Sequence, residues 1–530
     1  MYYVVGSGPA GISCAQALIA AGREVTILDS GLQLDTERSQ AVSSLAASDA
    51  SRWTPSATAF LRAGISSDAS GIPNKLAYGS DFPYRQVAGA TPIQCDGCKT
   101  RPSYARGGLS TVWGSALMPH RQQDIEEWPI SIEDLAPGYR AVLEWMPLSA
   151  RDDDLAKLYP LYIGECASLP TSRQATGMLA GLERHRAKLN ADGVYWGSSR
   201  LAVDADGRHG KPACVRCGLC MYGCPHGLIY SSDQTLADLV AAGRVQYTSG
   251  VTVQSVEESS AGVRIRAVDL TGNPQEFRSE RVFLGAGVLN TTAILLRSLG
   301  MYDTPVRLRD SQYFLLPLLR LRGTADVMRE PLHTLAQIFV EIVDSSISPY
   351  SIHLQTYTYN ELFRAPVLAA LGPFRKIFPL EAFLGRLLLF QGYLHSSHSG
   401  SIAATLTRDQ AGDKLMLRAL PNQETKKRMR KLLLKLTRLA TYTGVIPLIP
   451  KFQMELPGSG YHSGGSFPMS AQPKVGEADT LGRPYGMRRI HAIDSTILPS
   501  IPATTITYTV MANAYRIGTL AGTTMDRSGE

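Results

Sequence analysis

The chain has few charges, no long apolar span and no internal repeat, and each lack removes a class of function. Charged residues make up 19% of its 530 positions, and the net charge of +7 is spread without a concentrated basic arm. Nucleic acid is therefore not an expected partner. The longest uncharged stretch, Ser495 to Tyr515, carries Pro499, Pro502 and many threonines, which makes it a poor membrane span. Folded-domain sequence begins at Tyr2 with no secretory leader ahead of it, so the expected location is the cytoplasm. With 44% hydrophobic residues the composition is that of a globular enzyme rather than a disordered chain. The length exceeds what one simple core supports and implies about two or three domains.

What is present starts at the first residues. Tyr2 to Val5 reads as a short apolar strand, followed by Gly6, Gly8 and Gly11 in G-x-G-x-x-G spacing. A helix then carries Ile12, Ala15, Ala17, Leu18 and Ile19, and Glu24 to Leu28 reads as a second strand ending at Asp29. These are the parts of a βαβ dinucleotide-binding start. Gly6 permits the tight turn, Gly8 leaves room for a pyrophosphate at the helix N-terminus, and Gly11 lets helix and strand pack closely. Asp29 can accept bonds from ribose hydroxyls. Alone, this unit does not choose between NAD and FAD.

Further along, residues 32–75 read as a surface excursion with Trp53 and Phe60 as anchors. In 104–118, Arg106, Gly107, Gly108 and Ser110 offer backbone N–H groups and a hydroxyl for a phosphate or a flavin ring. Residues 129–200 read as mostly helical, with a start at Ser131 followed by Glu133 and Asp134. Short β-like runs at 245–247, 251–256 and 263–268, a turn at 271–274, and a strand at 281–284 leading into a Gly-Ala-Gly turn suit a flavin-type nucleotide domain. Residues 313–319, 337–343 and 351–359 alternate as strands. Residues 366–390 are apolar with interspersed arginine and lysine. Thr425 to Leu439 is an amphipathic helix with Met429, Leu432, Leu433, Leu436 and Leu439 on one face and Lys426, Lys427, Arg430, Lys431 and Arg438 on the other. Its basic face is most simply solvated, and docking on a membrane or an acidic partner is the sharper reading.

Six of the eight cysteines are clustered. Cys14 is a small buried apolar residue of the first helix, and Cys166 stands alone. Cys214, Cys217, Cys220 and Cys224, followed by Pro225, have the spacing of bacterial ferredoxin clusters. The candidates are an iron–sulfur centre, [4Fe–4S] or [3Fe–4S], a structural zinc completed by Cys95 and Cys98, or disulfides and free thiols. Cys95 and Cys98 can also form a separate redox pair or brace the loop leading to Gly107.

The last eighty residues contain YHSGGSFPMS at 461–470 and a block from 479 to 522. His462 lies in a glycine-rich, uncharged loop, where an imidazole can act as a general base. With the N-terminal unit, the RGGLSTVWGS loop and the LGAGVLNT turn, this block resembles the glucose–methanol–choline (GMC) oxidoreductases. The resemblance spans both ends and the middle of the chain. Residues 125–200 and 300–455 match only loosely.

It implies an α/β fold: an FAD-binding Rossmann-like domain from residues 1–125, 205–300 and 456–530, with the cysteine run as an insertion. The α+β substrate domain, with its antiparallel sheet, comes from 126–204 and 301–455. It further implies that Gly6, Gly8, Gly11 and Asp29 hold the adenosine diphosphate, that Gly108 and Ser110 lie near the isoalloxazine or pyrophosphate, and that Val253 meets the adenine. Ala286 and Gly287 would pass the nucleotide, and Asp494 would lie near the ribityl–pyrophosphate stretch. His462 matches the catalytic base. The second catalytic position, usually His or Asn, falls on Thr505, or on Thr504 one residue earlier. His491 reads as structural, and His395 and His398 as substrate-domain residues without a role.

The implied activity is oxidation of an alcohol on a sugar, aminosugar or cyclitol, with hydride passing to flavin and electrons leaving through the cluster to a carrier protein or quinone-like acceptor. The alternatives are an oxidase using dioxygen with a structural zinc or disulfide, and a hydroxynitrile-lyase-like enzyme.

Overall fold

The computed structural model describes residues 1–64, 76–207 and 211–523; residues 65–75 of the excursion at 32–75 lie outside them. At its centre is a parallel sheet drawn from both ends of the chain. Its strands run in the order Ile490–Ala492, Arg281–Leu284, Tyr2–Val5, Val25–Leu28, Gln246–Thr248. Every pair in it is parallel. All four residues of Val25–Leu28 and of Arg281–Leu284 are buried, as expected of strands covered on both faces.

The helix Pro9–Ala20 fills one side and the C-terminal helix Thr507–Thr523 lies on it. The two approach so closely that a Cβ on Gly518 would come within 2.9 Å of the Cys14 carbonyl oxygen. Cys14 is buried there, consistent with a small apolar role. On its other side the C-terminal helix meets Ile132–Val142, which starts after Ser131 as expected and is closed there by a reciprocal cap between Ser131 and Asp134.

The tightest point is under the first turn. A Cβ on Gly11 would stand 1.9 Å from the Gly6 carbonyl oxygen, a backbone atom that has nowhere to go. Gly11→Ala is therefore expected to give protein that aggregates or lacks its ligand. Soluble yield and the thermal midpoint against wild type measure this.

Three further sheets surround this core, antiparallel throughout except where Ile93–Asp96 joins Gly412–Leu420 in parallel. The largest runs Val445–Pro447, Tyr313–Arg320, Leu387–Tyr393, Ile352–Tyr357, Ile338–Ile342, Val194–Ser198, with Gln453–Met454 also on Tyr313–Arg320. The second comprises Ser463–Gly464, Val306–Asp310, Ser401–Asp409, Gly412–Leu420 and Ile93–Asp96. The third is the meander Thr252–Ser259, Gly262–Val268, Pro274–Ser279.

The mostly helical reading of 129–200 needs correction twice: between Ile132–Val142 and Arg173–Arg184 the only helical piece among the described residues is the short Asp154–Lys157, and the end is a strand. Val194–Ser198 is a strand paired with Ile338–Ile342, a partner some 140 residues away that no local pattern announces. Among the described residues no helix is long and apolar enough to cross a membrane.

Candidate active site

A cavity of about 480 Å³ runs from the glycine turn after the first strand to the loop that carries His462. At the first end, Gly6, Ser7, Gly8, Pro9 and Ala10 line it. The helix starting at Pro9 has Gly8 as its N-cap and no side chain closing its first N–H groups, so those donors and the positive helix end face the cavity. A Cβ on Gly8 would meet nothing nearer than the Gly108 Cα at 3.9 Å; the room in front of it belongs to the cavity. Such an arrangement has the room and the donors to hold a diphosphate.

Asp29, at the end of the second strand, also lines the cavity. Its Oδ2 accepts the hydroxyls of Ser7 and of Tyr247, the latter at 3.1 Å, while Ser7 Oγ accepts the Gly107 N–H at 2.9 Å. Burial pushes the Asp29 carboxyl up to about 6, against the pull of those donors. Two more helices begin on the same cavity, Val288–Ser298 after an uncapped Gly287 and Thr507–Thr523 after Thr505 and Ile506. None of the three has an acidic residue in its first turn, so the cavity is favourable to negative charge at several points.

Of the residues singled out from sequence, Gly6, Gly8, Asp29, Gly108, Ser110, Val253, Ala286, Gly287, His462, Asp494 and Thr505 line this one cavity. Gly11 lies beneath it. Arg106 is turned away from the lining, paired with Asp233 at 2.5 Å and set over the Tyr247 ring. The Ser110 hydroxyl is spent on its own loop, donating to the Gly107 carbonyl at 2.5 Å and accepting the Ser232 N–H at 3.0 Å. Asp494 is held by Thr291 at 2.6 Å and by the Thr496 N–H at 2.9 Å, and burial raises its carboxyl.

At the far end the His462 ring stacks on Tyr393 with centroids 4.7 Å apart. Its Nδ1 is buried and has no hydrogen-bond partner among the described residues. Burial, then the nearby charge of His353, lowers the imidazole to about 4. It is neutral at ordinary pH and able to accept a proton. The Thr505 Oγ1 accepts the Met118 N–H at 3.2 Å, leaving its own proton to donate. Thr504 turns instead to His120 Nδ1 at 2.9 Å and does not line the cavity. His491 is buried in the parallel sheet, bonded to the Leu481 carbonyl and stacked on Phe283. His395 stacks on Tyr350 and bonds the Asp124 carbonyl, away from the lining.

Sequence reasoning missed the wall opposite. Gln355, Tyr357, Gln391, Tyr393 and Tyr313 line the cavity from the large antiparallel sheet. Gln355 and Gln391 are direct partners across two strands, and the Gln391 amide donates to the Tyr393 hydroxyl at 2.8 Å. The signal was the two-residue repeat Gln355, Tyr357 and Gln391, Tyr393, which puts each pair on one face of its strand. Behind Tyr393, His353 Nδ1 bonds Glu341 at 2.5 Å, and Glu341 also accepts the Tyr159 hydroxyl at 3.1 Å.

Among the described residues no cysteine is in a disulfide. Among the described residues no three His, Cys, Asp or Glu side chains converge on a point that could hold a metal ion. Cys217 is exposed and Cys214, Cys220 and Cys224 are half-buried. Burial, then the charge of Cys224, raises the thiols of Cys217 and Cys220, so the four lie within electrostatic reach of one another. Four thiols on one loop are the donor type of an iron–sulfur centre. The loop meets the cavity through Met221.

Cys95 and Cys98 form a second pair, at the end of Ile93–Asp96. The hydrogen bond from Cys98 lowers the Cys95 thiol to about 6 and pushes Cys98 up. Cys95 is therefore expected to be the first cysteine alkylated by iodoacetamide at neutral pH, a rank order that peptide mapping by mass spectrometry reads directly.

Among solved structures, the fold is similar to pyridoxine 4-oxidase from Mesorbium loti, 15% identical with a TM-score of 0.61 over 98% of both chains. Two formate oxidase structures are 12% and 13% identical, each with a TM-score of 0.61 over 98% of this chain and 97% of theirs; one is the Aspergillus oryzae RIB40 enzyme, examined for its FAD modification. At these identities the likeness establishes the fold, a mixed α/β architecture with parallel and antiparallel sheets. No family model matches the chain, and no curated protein does.

Proposed function

We propose that the chain is an FAD-dependent oxidoreductase of the glucose–methanol–choline type that oxidises an alcohol on a small polar molecule to a carbonyl. The observation that carries this reading is the single cavity joining the Gly8 and Asp29 cradle to His462 and Thr505. In it, residues 1–125, 205–300 and 456–530 form the cofactor domain, and 126–204 and 301–455 the substrate domain. FAD, when bound, supplies the hydride acceptor.

The chain supplies the rest. Gly6, Gly8 and the open helix end hold the diphosphate, Asp29 the ribose, Val253 the adenine side, and Ala286, Gly287 and Asp494 the stretch toward the ring. His462 removes the hydroxyl proton at an imidazole nitrogen, and Thr505 donates to the developing alkoxide oxygen. Gln355 and Gln391 offer paired amides to further hydroxyls, which suits a sugar, aminosugar or cyclitol. We place the chain in the cytoplasm, where clustered cysteines are kept reduced and available as ligands.

An iron–sulfur centre on Cys214, Cys217, Cys220 and Cys224 would supply a one-electron exit toward a carrier protein or quinone-like acceptor; the ligand spacing and the contact of Met221 with the cavity support it. A second reading, an oxidase that uses dioxygen, draws on the oxidases that share the fold.

The test is anaerobic purification, flavin spectra with a panel of polyols and sugars, and iron and sulfide analysis. Substrate-dependent bleaching with iron present supports the dehydrogenase. Bleaching with no iron, and peroxide on admitting air, supports the oxidase. Bound flavin that no substrate bleaches overturns both.

A further inference from the structure

The segment between two cavity-wall strands carries an apolar tip that nothing in the fold explains. Ile352–Tyr357 and Leu387–Tyr393 are neighbours in the large sheet, with Tyr357 opposite Leu389. The chain between them makes four short helical pieces, Glu361–Phe363, Arg364–Leu371, Gly372–Lys376 and Leu380–Leu384. Its base is fixed: Phe363, Val367, Leu380 and Phe383 pack around Val327, Leu384 and Leu387.

Its tip is not covered. Phe374 is 65% exposed and Ile377 82%, and no residue of Arg364–Leu371 is buried. A shallow groove there is lined entirely by Ala370, Leu371, Phe374, Ile377, Phe378 and Pro379. Isolated exposed apolar residues are ordinary, but a contiguous patch marks a contact surface.

Two further observations say what covers it. From Glu361 to Glu381 there are three cations, Arg364, Arg375 and Lys376, and two carboxylates at the ends, of which Glu361 is paired with Arg62. The same end of the sheet also exposes Leu321 at 54% and Ile446 at 44%, on segments joined by the bond from the Leu321 N–H to the Gly444 carbonyl. Apolar side chains at an apex with basic residues beside them match a bilayer with anionic headgroups, where the rings and branches enter the acyl boundary and the cations stay among the phosphates. A folded protein partner would need a broad face of about 800 Å², which a two-residue apex does not offer.

We propose that residues 364–380 dock the protein on the surface of an anionic lipid bilayer, with Phe374 and Ile377 inserted. Because the segment joins the two cavity-wall strands at the end that carries Tyr357 and Leu387, docking brings that end of the sheet nearest the membrane. The proposal goes beyond the redox reading and does not depend on it.

Vesicle flotation tests it. Wild-type protein floats with vesicles of phosphatidylcholine and phosphatidylglycerol, less with phosphatidylcholine alone, and less again at high salt. The double variant Phe374→Ser/Ile377→Ser loses about a hundredfold in partitioning with unchanged circular dichroism. The control Leu270→Ser/Val475→Ser, two exposed apolar residues elsewhere, floats as wild type. Phe374→Trp blue-shifts its emission when anionic vesicles are added.

Failure of the wild type to float overturns the proposal, as does a double variant that floats equally well. A dimer in sedimentation velocity that the double variant loses assigns the tip to a second copy of the chain instead.

Discussion

Replacing His462 by alanine is expected to lower turnover by about 10²- to 10⁴-fold, the usual share of a positioned general base, while flavin content stays at the wild-type level. The reason for the split is spatial. The proposed diphosphate site at Gly6, Gly8 and Asp29 and the His462 loop stand at opposite ends of one cavity, so removal of the imidazole leaves the first end intact.

The pH profile sharpens the expectation. Burial holds the ring at about 4, so it remains neutral and able to accept a proton well below the ordinary histidine value. The acid limb of kcat/KM is then expected near pH 4, not near 6.5. A limb at 6.5 that survives in His462→Ala would assign the proton transfer to another group. Full turnover in that variant would remove His462 from the chemistry.

The second large effect is acid instability. His120 is held at about 3, and His333, His395, His462 and His491 at about 4, in each case chiefly by burial. In the unfolded chain all five titrate near 6.5. As the pH falls through 6.5 the unfolded state takes up protons that the folded state refuses, so stability declines from there down to about 4.

Asp29 and Asp310 act in the opposite sense. Their buried carboxyls sit at about 6, above the unfolded value, so the folded state gains relative stability as they protonate between 6 and the ordinary aspartate range. Burial also raises Asp153, Asp233, Glu455 and Asp494 and lowers His226 and His398, and the five large imidazole displacements outweigh the two large carboxyl ones. One pKa unit is worth about 1.4 kcal/mol, and whole-protein stability is only about 5–15 kcal/mol. The thermal midpoint is thus expected to fall as the pH drops from about 7 to about 4.5. Thermal midpoints by circular dichroism between about pH 7 and pH 4.5 give the result; a flat profile would show that these rings are hydrated in solution.

The N-terminal strand, turn, helix and strand were legible because each feature is local. Glycine spacing, apolar periodicity and a terminal acid all lie within thirty-one residues, and they fold as written. The helix start at Ser131, the meander after residue 251 and the amphipathic helix at Gln423–Arg438 were readable for the same reason.

Other features were decided only when distant segments met. Val194–Ser198 becomes a strand because Ile338–Ile342 offers it an edge. Thr505 rather than Thr504 faces the cavity because His120 captures the latter's hydroxyl. Arg106 and Ser110 carry suitable chemistry, but Asp233 engages the first and the Gly107 carbonyl the second. Gln355 and Gln391 are unremarkable in one dimension and become a matched pair when their strands register. Local sequence sets the backbone's short-range choices, whereas a site is a coincidence of side chains from segments hundreds of residues apart, and only packing and strand register bring them to one place.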